Sequence, residues 1–241
     1  ANYTWSHAIG NQSANQQYIY SSNSPYHLNL DKASEGYDHR QTMTANWYYE
    51  LPFGHGKAFS TGNGGLDRAI GGWNISGIFN FWTGTPACAT NVDGNYGSFF
   101  ESQCAIATAG FPSYSRHNGV TGSGGVGTAG TINAFADPAA VFASLQYPQL
   151  SVNERISHDQ LHGWPFWNVD FSLGKKTQIT ERVGLVVTAD AFNIFNHTVL
   201  NQPVSLDLNN PAAFGVLNQQ FAAGISTTGA RTMQLGARVE F

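Results

Sequence analysis

Arg231-Thr232-Met233-Gln234-Leu235-Gly236-Ala237-Arg238-Val239-Glu240-Phe241 closes the chain, with apolar and polar residues alternating to its end. Successive side chains of a β-strand point to opposite sides, so Met233, Leu235, Ala237, Val239 and Phe241 share one face. Thr232, Gln234, Gly236, Arg238 and Glu240 share the other. The first face suits lipid or a protein core, and the second suits water.

The same period of two recurs upstream. Residues 40–53 set Met43, Ala45, Trp47, Tyr49 and Leu51 against Thr42, Thr44, Asn46, Tyr48 and Glu50. Residues 73–85 place Trp73, Ile75, Gly77, Phe79 and Phe81 opposite Asn74, Ser76 and Asn80. In 166–173, Trp167, Val169, Phe171 and Leu173 oppose Asn168, Asp170 and Ser172. Across 183–192, Leu185, Val187, Ala189 and Ala191 oppose Gly184, Thr188 and Asp190, with Val186 out of phase. Residues 2–7 read as a shorter strand. No stretch has a comparably clear helical period, so the expected class is all-β.

Composition narrows the setting. Charged residues make up 11% of the 241-residue chain and aromatics 13%, with 27 glycines, and Asn, Gln, Ser and Thr supply most of the remaining polarity. That balance is usual for surface and barrel proteins. A net charge of -4 leaves no basic footprint, so nucleic acid is not an expected partner. No run of about twenty apolar residues marks a membrane-spanning helix, which leaves a soluble protein or a β-barrel. The chain starts at Ala1 without a secretion signal, which a secreted or outer-membrane protein loses on export. Cys88 and Cys104 flank a Gly/Asn/Phe segment, and such an isolated close pair predicts a disulfide formed in an oxidising compartment.

The connections alternate in length. Residues 175–182 read as a tight polar turn and 54–72 as a moderate Gly-rich turn, whereas 10–39, 89–165 and 196–230 are long. Outer-membrane barrels show this asymmetry, with short periplasmic turns and long extracellular loops. With Phe241 at the periplasmic end, every long connection falls outside. The expected fold is therefore an antiparallel up-and-down meander of about six strands, of outer-membrane β-barrel type, with three long loops. Residues 119–130 are Gly-rich and expected to be flexible unless something packs on them.

In that setting Trp5, Trp47, Tyr49, Trp73, Phe81, Trp167 and Phe171 are expected to form aromatic girdles at the headgroup level, in preference to carbohydrate-stacking platforms. Asn46, Glu50, Asn80, Asp170, Thr188, Asp190, Gln234 and Arg238 are expected to face a lumen. In a soluble protein they would be solvated.

Motifs for covalent or metal chemistry are weak. His158 and His162 stand at the spacing that places two ligands on one helix face, but Asp159 replaces the usual Glu and Gly163 to Pro165 ends any helix, so loop histidines are the preferred reading. Asp93-Gly94-Asn95 and the segment from Asp207 to Asn210 resemble pieces of calcium loops without the full ligand series and read as polar turns. Gly62 to Gly65 and Gly122 to Gly127 read as turn or linker glycines. No nucleophile elbow or phosphate loop occurs, and neither catalysis nor a cofactor is expected.

Several motifs in order carry a resemblance. His39-Arg40 opens a strand ending Tyr49-Glu50-Leu51-Pro52-Phe53-Gly54-His55-Gly56-Lys57. Then come Gly71-Gly72-Trp73-Asn74-Ile75-Ser76-Gly77-Ile78, Thr83-Gly84-Thr85-Pro86, Phe192-Asn193-Ile194-Phe195-Asn196-His197-Thr198, and finally Arg231, Gln234-Leu235-Gly236 and Phe241. Over almost its whole length the chain resembles TonB-dependent outer-membrane receptors of the Oar-like branch. The resemblance implies a barrel of about twenty-two strands filled by a plug that opens with energy from TonB. Six strands match only the C-terminal quarter or so of such a receptor, so residues 1–241 are expected to be a C-terminal barrel portion without the plug. The implied location is the bacterial outer membrane or cell surface. The implied partners are outer-membrane lipid and the rest of the barrel and plug. A competing expectation is a fibre, tube or surface assembly in which further copies of the chain pair at open sheet edges. A third is a secreted carbohydrate-binding sandwich, with the aromatics along one groove.

Overall fold

The computed structural model describes residues 1–11, 27, 29, 32–90, 104–107, 120–121, 124–146, 161–201, 206–218 and 229–241. Six strands build the main sheet: β1 (Asn2–Trp5), β2 (Gln41–Glu50), β3 (Trp73–Trp82), β4 (Phe166–Gln178), β5 (Gly184–Phe192) and β6 (Thr232–Glu240). Each pairs antiparallel with its neighbour in the chain, giving an up-and-down meander in sequence order. The expected strands all form. The sheet does not close: among the described residues, β1 and β6 each have one unpaired edge.

β4 runs past the expected boundary. The stretch read as a turn from residue 175 remains strand to Gln178, and only 179–183 turn. The polar residues there can stay extended because each finds a partner. Lys175 Nζ donates to the carbonyls of Ala69 at 2.6 Å and Gly71 at 3.0 Å, and Lys176 Nζ pairs with Glu240 at 2.7 Å. Ladder hydrogen bonds with β5 serve the backbone. Charge alone was a poor turn signal.

A second correction concerns the connection 51–72, which holds a short helix, α1 (Gly64–Ile70). Gly64 and Gly65, read as turn glycines, open it. Asn63 Oδ1 accepts from the amides of Gly65 and Leu66, offsetting the poor helix propensity of two glycines. At the base of this connection Gly54 adopts a φ of +101°, and a Cβ there would meet Gly71 Cα at 2.6 Å, so the two backbones cross in contact.

The hydrophobic core is not under the sheet. It lies in the long connections, where Ala89, Ala105, Ala134, Phe135, Val141, Leu145, Leu161, Leu208, Phe214 and Leu217 cluster. Phe214 is fully buried, stacked on Phe135 and edge-on to Phe142. Phe142 and Val141 belong to α2 (Pro138–Ala143), whose first turn is capped by Asp137. Buried Asn133 ties the segments together: its Nδ2 donates to Gly124 O and Phe214 O, and its Oδ1 accepts from Phe135 N. Two-residue ladders join Ile132–Asn133 to Val216–Leu217 and Pro86–Ala87 to Leu161–His162. The Cys88–Cys104 disulfide forms, with Cα atoms 5.6 Å apart. We call this body the cap.

Part of the Gly-rich stretch packs into the cap: Gly124 and Gly125 are buried, whereas residues 127–130 are exposed. Val126 N donates to Pro211 O at 2.8 Å and its side chain lies against the cluster. Residues 119, 122 and 123 lie outside the described set.

Candidate functional site

Cross-strand partners share a face of a sheet, so the register assigns every strand residue to one side or the other. One row runs Trp47, Gly77, Phe171, Ala191 and Met233 across five strands. The next runs Tyr48, Ser76, Ser172, Asp190 and Gln234. Extending both gives an apolar face and a polar face over the whole sheet.

Trp5, Trp47, Tyr49, Trp73, Phe81, Trp167 and Phe171 all fall on the apolar face. So do Met233, Leu235, Ala237 and Val239. This face is uncovered: Met233, Leu235 and Val239 are 72%, 82% and 54% exposed, and terminal Phe241 is also bare. An apolar patch of that extent marks a surface that meets a membrane or another protein. Gly77 makes the face smooth, since a Cβ there would meet the Trp47 indole at 2.2 Å and Asp170 O at 2.6 Å.

Asn46, Glu50, Asn80, Asp170, Thr188, Asp190, Gln234 and Arg238 lie on the polar face without exception. Its acceptors are partly engaged. Asp170 Oδ1 accepts from Asn168 Nδ2 at 2.8 Å and Asn193 N at 2.9 Å, and Asp190 accepts from Ser172 Oγ. Toward the short-turn end the face carries ion pairs: Glu50 with Lys57 at 2.9 Å, and Glu240 with Lys176 and Arg238. Ile78, Val186 and the stacked Trp82 and Phe166 break its polarity, the last pair where the sheet meets the cap.

The motif after β5 is a built turn. Asn193 and Asn196 take φ of 52° and 50°, a region that asparagine tolerates. Asn193 Nδ2 donates to His197 O and Gly229 O, and Asn196 Oδ1 accepts from Arg231 N. The turn therefore joins the exit of β5 to the entry of β6. His197 stacks on Trp167 with ring centroids 4.0 Å apart.

Two further clusters escaped the sequence reading. Asp38, with its side chain 1% exposed, pairs with Arg40 at 2.5 Å and accepts from Ala8 N, while Arg40 also donates to Ser34 Oγ. At the opposite end Asp67 is buried in α1 and accepts from Ser60 Oγ, Thr61 N and Thr61 Oγ1. Those hydrogen bonds hold its carboxyl down at about 2. Neither cluster has a sequence spacing that announces it, since the partners come from a turn or from distant segments. Lys175 escaped as well: it was read as the start of a turn, whereas it and Thr177 continue the period of two to the end of β4.

His158 and the segment from Asp93 to Asn95 lie outside the described residues, while His162 stands in a two-residue ladder with Pro86. Asp207 Oδ1 accepts from Asn209 N and Asn210 Oδ1 from Ala213 N, the hydrogen bonds of polar turns. Among the described residues, no group of three His, Cys, Asp or Glu side chains is placed to hold a metal.

A meander with a bare apolar face, a polar reverse and long connections gathered at one end has the anatomy of an outer-membrane barrel wall. No curated protein and no solved structure matches the chain. The family model for the outer membrane beta barrel domain matches residues 1–234, nearly the full length, so the chain belongs to that family and is an outer-membrane protein.

Proposed function

We propose that this chain is the C-terminal barrel segment of a TonB-dependent outer-membrane transporter that takes up a bulky nutrient. The observation that carries the reading is the wall of six strands, apolar on one side and polar on the other, with both edges open among the described residues. Six strands are fewer than the roughly eight that close the smallest filled barrel, so the wall needs further strands. The ordered motifs from His39 to Phe241 supply the TonB-dependent assignment by resemblance. In this reading the apolar face meets lipid, its aromatics form the girdles, and the polar face lines a lumen against the plug. The cap gathers substrate outside. Uptake proceeds by capture, plug displacement and passage, without covalent catalysis.

The test uses the natural outer-membrane protein. Its expected mass is several times the 26.0 kDa of this chain, and uptake by the cells is expected to cease when TonB is removed. The open edges of β1 and β6 favour one competing reading, a fibre, tube or surface assembly of repeated copies. A natural mass near 26.0 kDa together with filaments whose sheets continue from β6 of one copy to β1 of the next would establish that assembly instead.

A further inference from the structure

Two connections share the short-turn end of the sheet and are built differently. Residues 179–183 simply turn, whereas 51–72 fold into α1 and a pair of packed rings, Phe53 and Phe59, with centroids 5.6 Å apart. The side of the sheet on which α1 ends is decided by its contacts. Lys175 Nζ donates to Ala69 O and Gly71 O, Trp73 Nε1 donates to Ala69 O at 3.4 Å, and Lys175 Nζ lies 4.6 Å from the Trp73 ring centre. Trp73 and Lys175 are cross-strand partners on the apolar face. The C-terminal end of α1 is therefore held against the apolar side of the wall.

The helix is also amphipathic. Asp67 is buried against Ser60 and Thr61, while Leu66 and Ala69 are exposed and Ile70 is half-buried, a spacing of three and four that aligns them on one stripe. Leu66 is 50% exposed and Phe59 60%. Arg68, exposed in the last turn, adds a cation. An apolar stripe, aromatic rings and a basic side chain are the composition of segments that lie in a membrane interface.

We propose that residues 53–70 form a foot lying in the headgroup and upper acyl region of the leaflet at the short-turn end. Its occupant is phospholipid. Leu66, Ile70 and the Phe53–Phe59 pair meet acyl chains, Arg68 meets lipid phosphate, and Lys175 clamps the helix end to the wall. The apolar surface of the foot is continuous with the lipid-facing sheet through Trp73. The proposal rests on the family's membrane placement and is independent of TonB-dependent transport.

The test places one label at a time on the natural protein reconstituted in phosphatidylethanolamine and phosphatidylglycerol vesicles. Within residues 1–241 Cys88 and Cys104 are bonded to each other, so with any cysteine elsewhere in the natural protein replaced, Leu66→Cys offers one thiol for a fluorescent label, and Phe59→Cys is a second probe of the foot. Arg182→Cys, at the exposed tip of the tight turn, serves as the water reference, and Val239→Cys as the lipid reference. The expected result is iodide quenching several-fold weaker at Leu66 and Phe59 than at Arg182, with stronger quenching by shallow brominated lipid. Iodide quenching at Leu66 and Phe59 equal to that at Arg182 overturns the foot. If Val239 still reports lipid, only the foot fails; if Val239 reports water as well, the membrane placement of the wall fails with it.

Discussion

The sheet and the cap are stabilised by opposite means. In the cap, Phe135, Phe214, Val141 and Leu161 are fully buried, Asn133 donates both of its amide hydrogens and accepts at its oxygen inside, and a disulfide closes the segment. That is how a water-soluble domain is held together, by removing apolar surface from water. The sheet leaves most of its apolar face half-buried or exposed, with Leu235 and Met233 bare, and relies on continuous ladders between adjacent strands. Such a wall suits an apolar solvent once the open edges of β1 and β6 are paired, because every backbone polar group there must be satisfied within the protein. One chain therefore carries two solutions to two solvents, and a substitution should act according to the region it falls in.

The largest separation is expected from Phe214→Ala. Emptying the fully buried ring site between Phe135 and Phe142 costs about 3–5 kcal/mol. Amide exchange should accelerate at residues 132–135 and 214–217 and stay unchanged in β4 and β5. Equal acceleration in both would break the separation. Replacing Cys88 and Cys104 by alanine opens a loop of 16 residues' separation and should cost about 3 kcal/mol, again within the cap, read as a lowered denaturation midpoint of cap amides.

The sheet should respond to lipid-facing charge instead. Leu235→Arg, in the middle of β6, is expected to cost about 2–4 kcal/mol of folding into vesicles, against about 0–1 for Val239→Arg near the strand end. Folding titrations in urea with lipid present measure both, and equal costs would show that β6 does not cross the bilayer. Gly77→Ala sharpens the packing side of the argument. Its Cβ must displace the Trp47 indole or the Asp170 carbonyl, for about 1–3 kcal/mol and a shifted Trp47 emission.

The smallest effect concerns Asp67. Its carboxyl is held at about 2, below the ordinary 3.8, so the charged form is favoured by folding. The resulting stabilisation is complete above about 3.8 and is lost as pH falls through about 2. Exchange at the Thr61 amide should rise over that window, with the ladder amides of β5 unaffected. A flat Thr61 profile would mean that the turn does not depend on this carboxylate.

Period-two alternation was enough to place every strand of the main sheet and both of its faces, because in a pleated strand spacing alone decides which side a residue takes. The sites assigned to those faces from Trp5 to Arg238 sort without exception. The ends of strands were less legible. Residues 175–178 look like a turn until the carbonyls of α1 and the Glu240 carboxylate are in place to receive Lys175 and Lys176. Likewise, Gly64 and Gly65 look like a linker until Asn63 caps them and Asp67 anchors the helix.

The sequence by itself determined the strand pattern, the two-faced wall, the alternation of short and long connections and the pairing of Cys88 with Cys104. These follow from local spacing, or from there being one possible partner. Only the tertiary structure decided that the core lies in the long connections, that Asn133, Phe214 and Val126 meet there, and that α1 ends on the apolar face. Those contacts join residues far apart in the chain, and no local period encodes which distant segments meet.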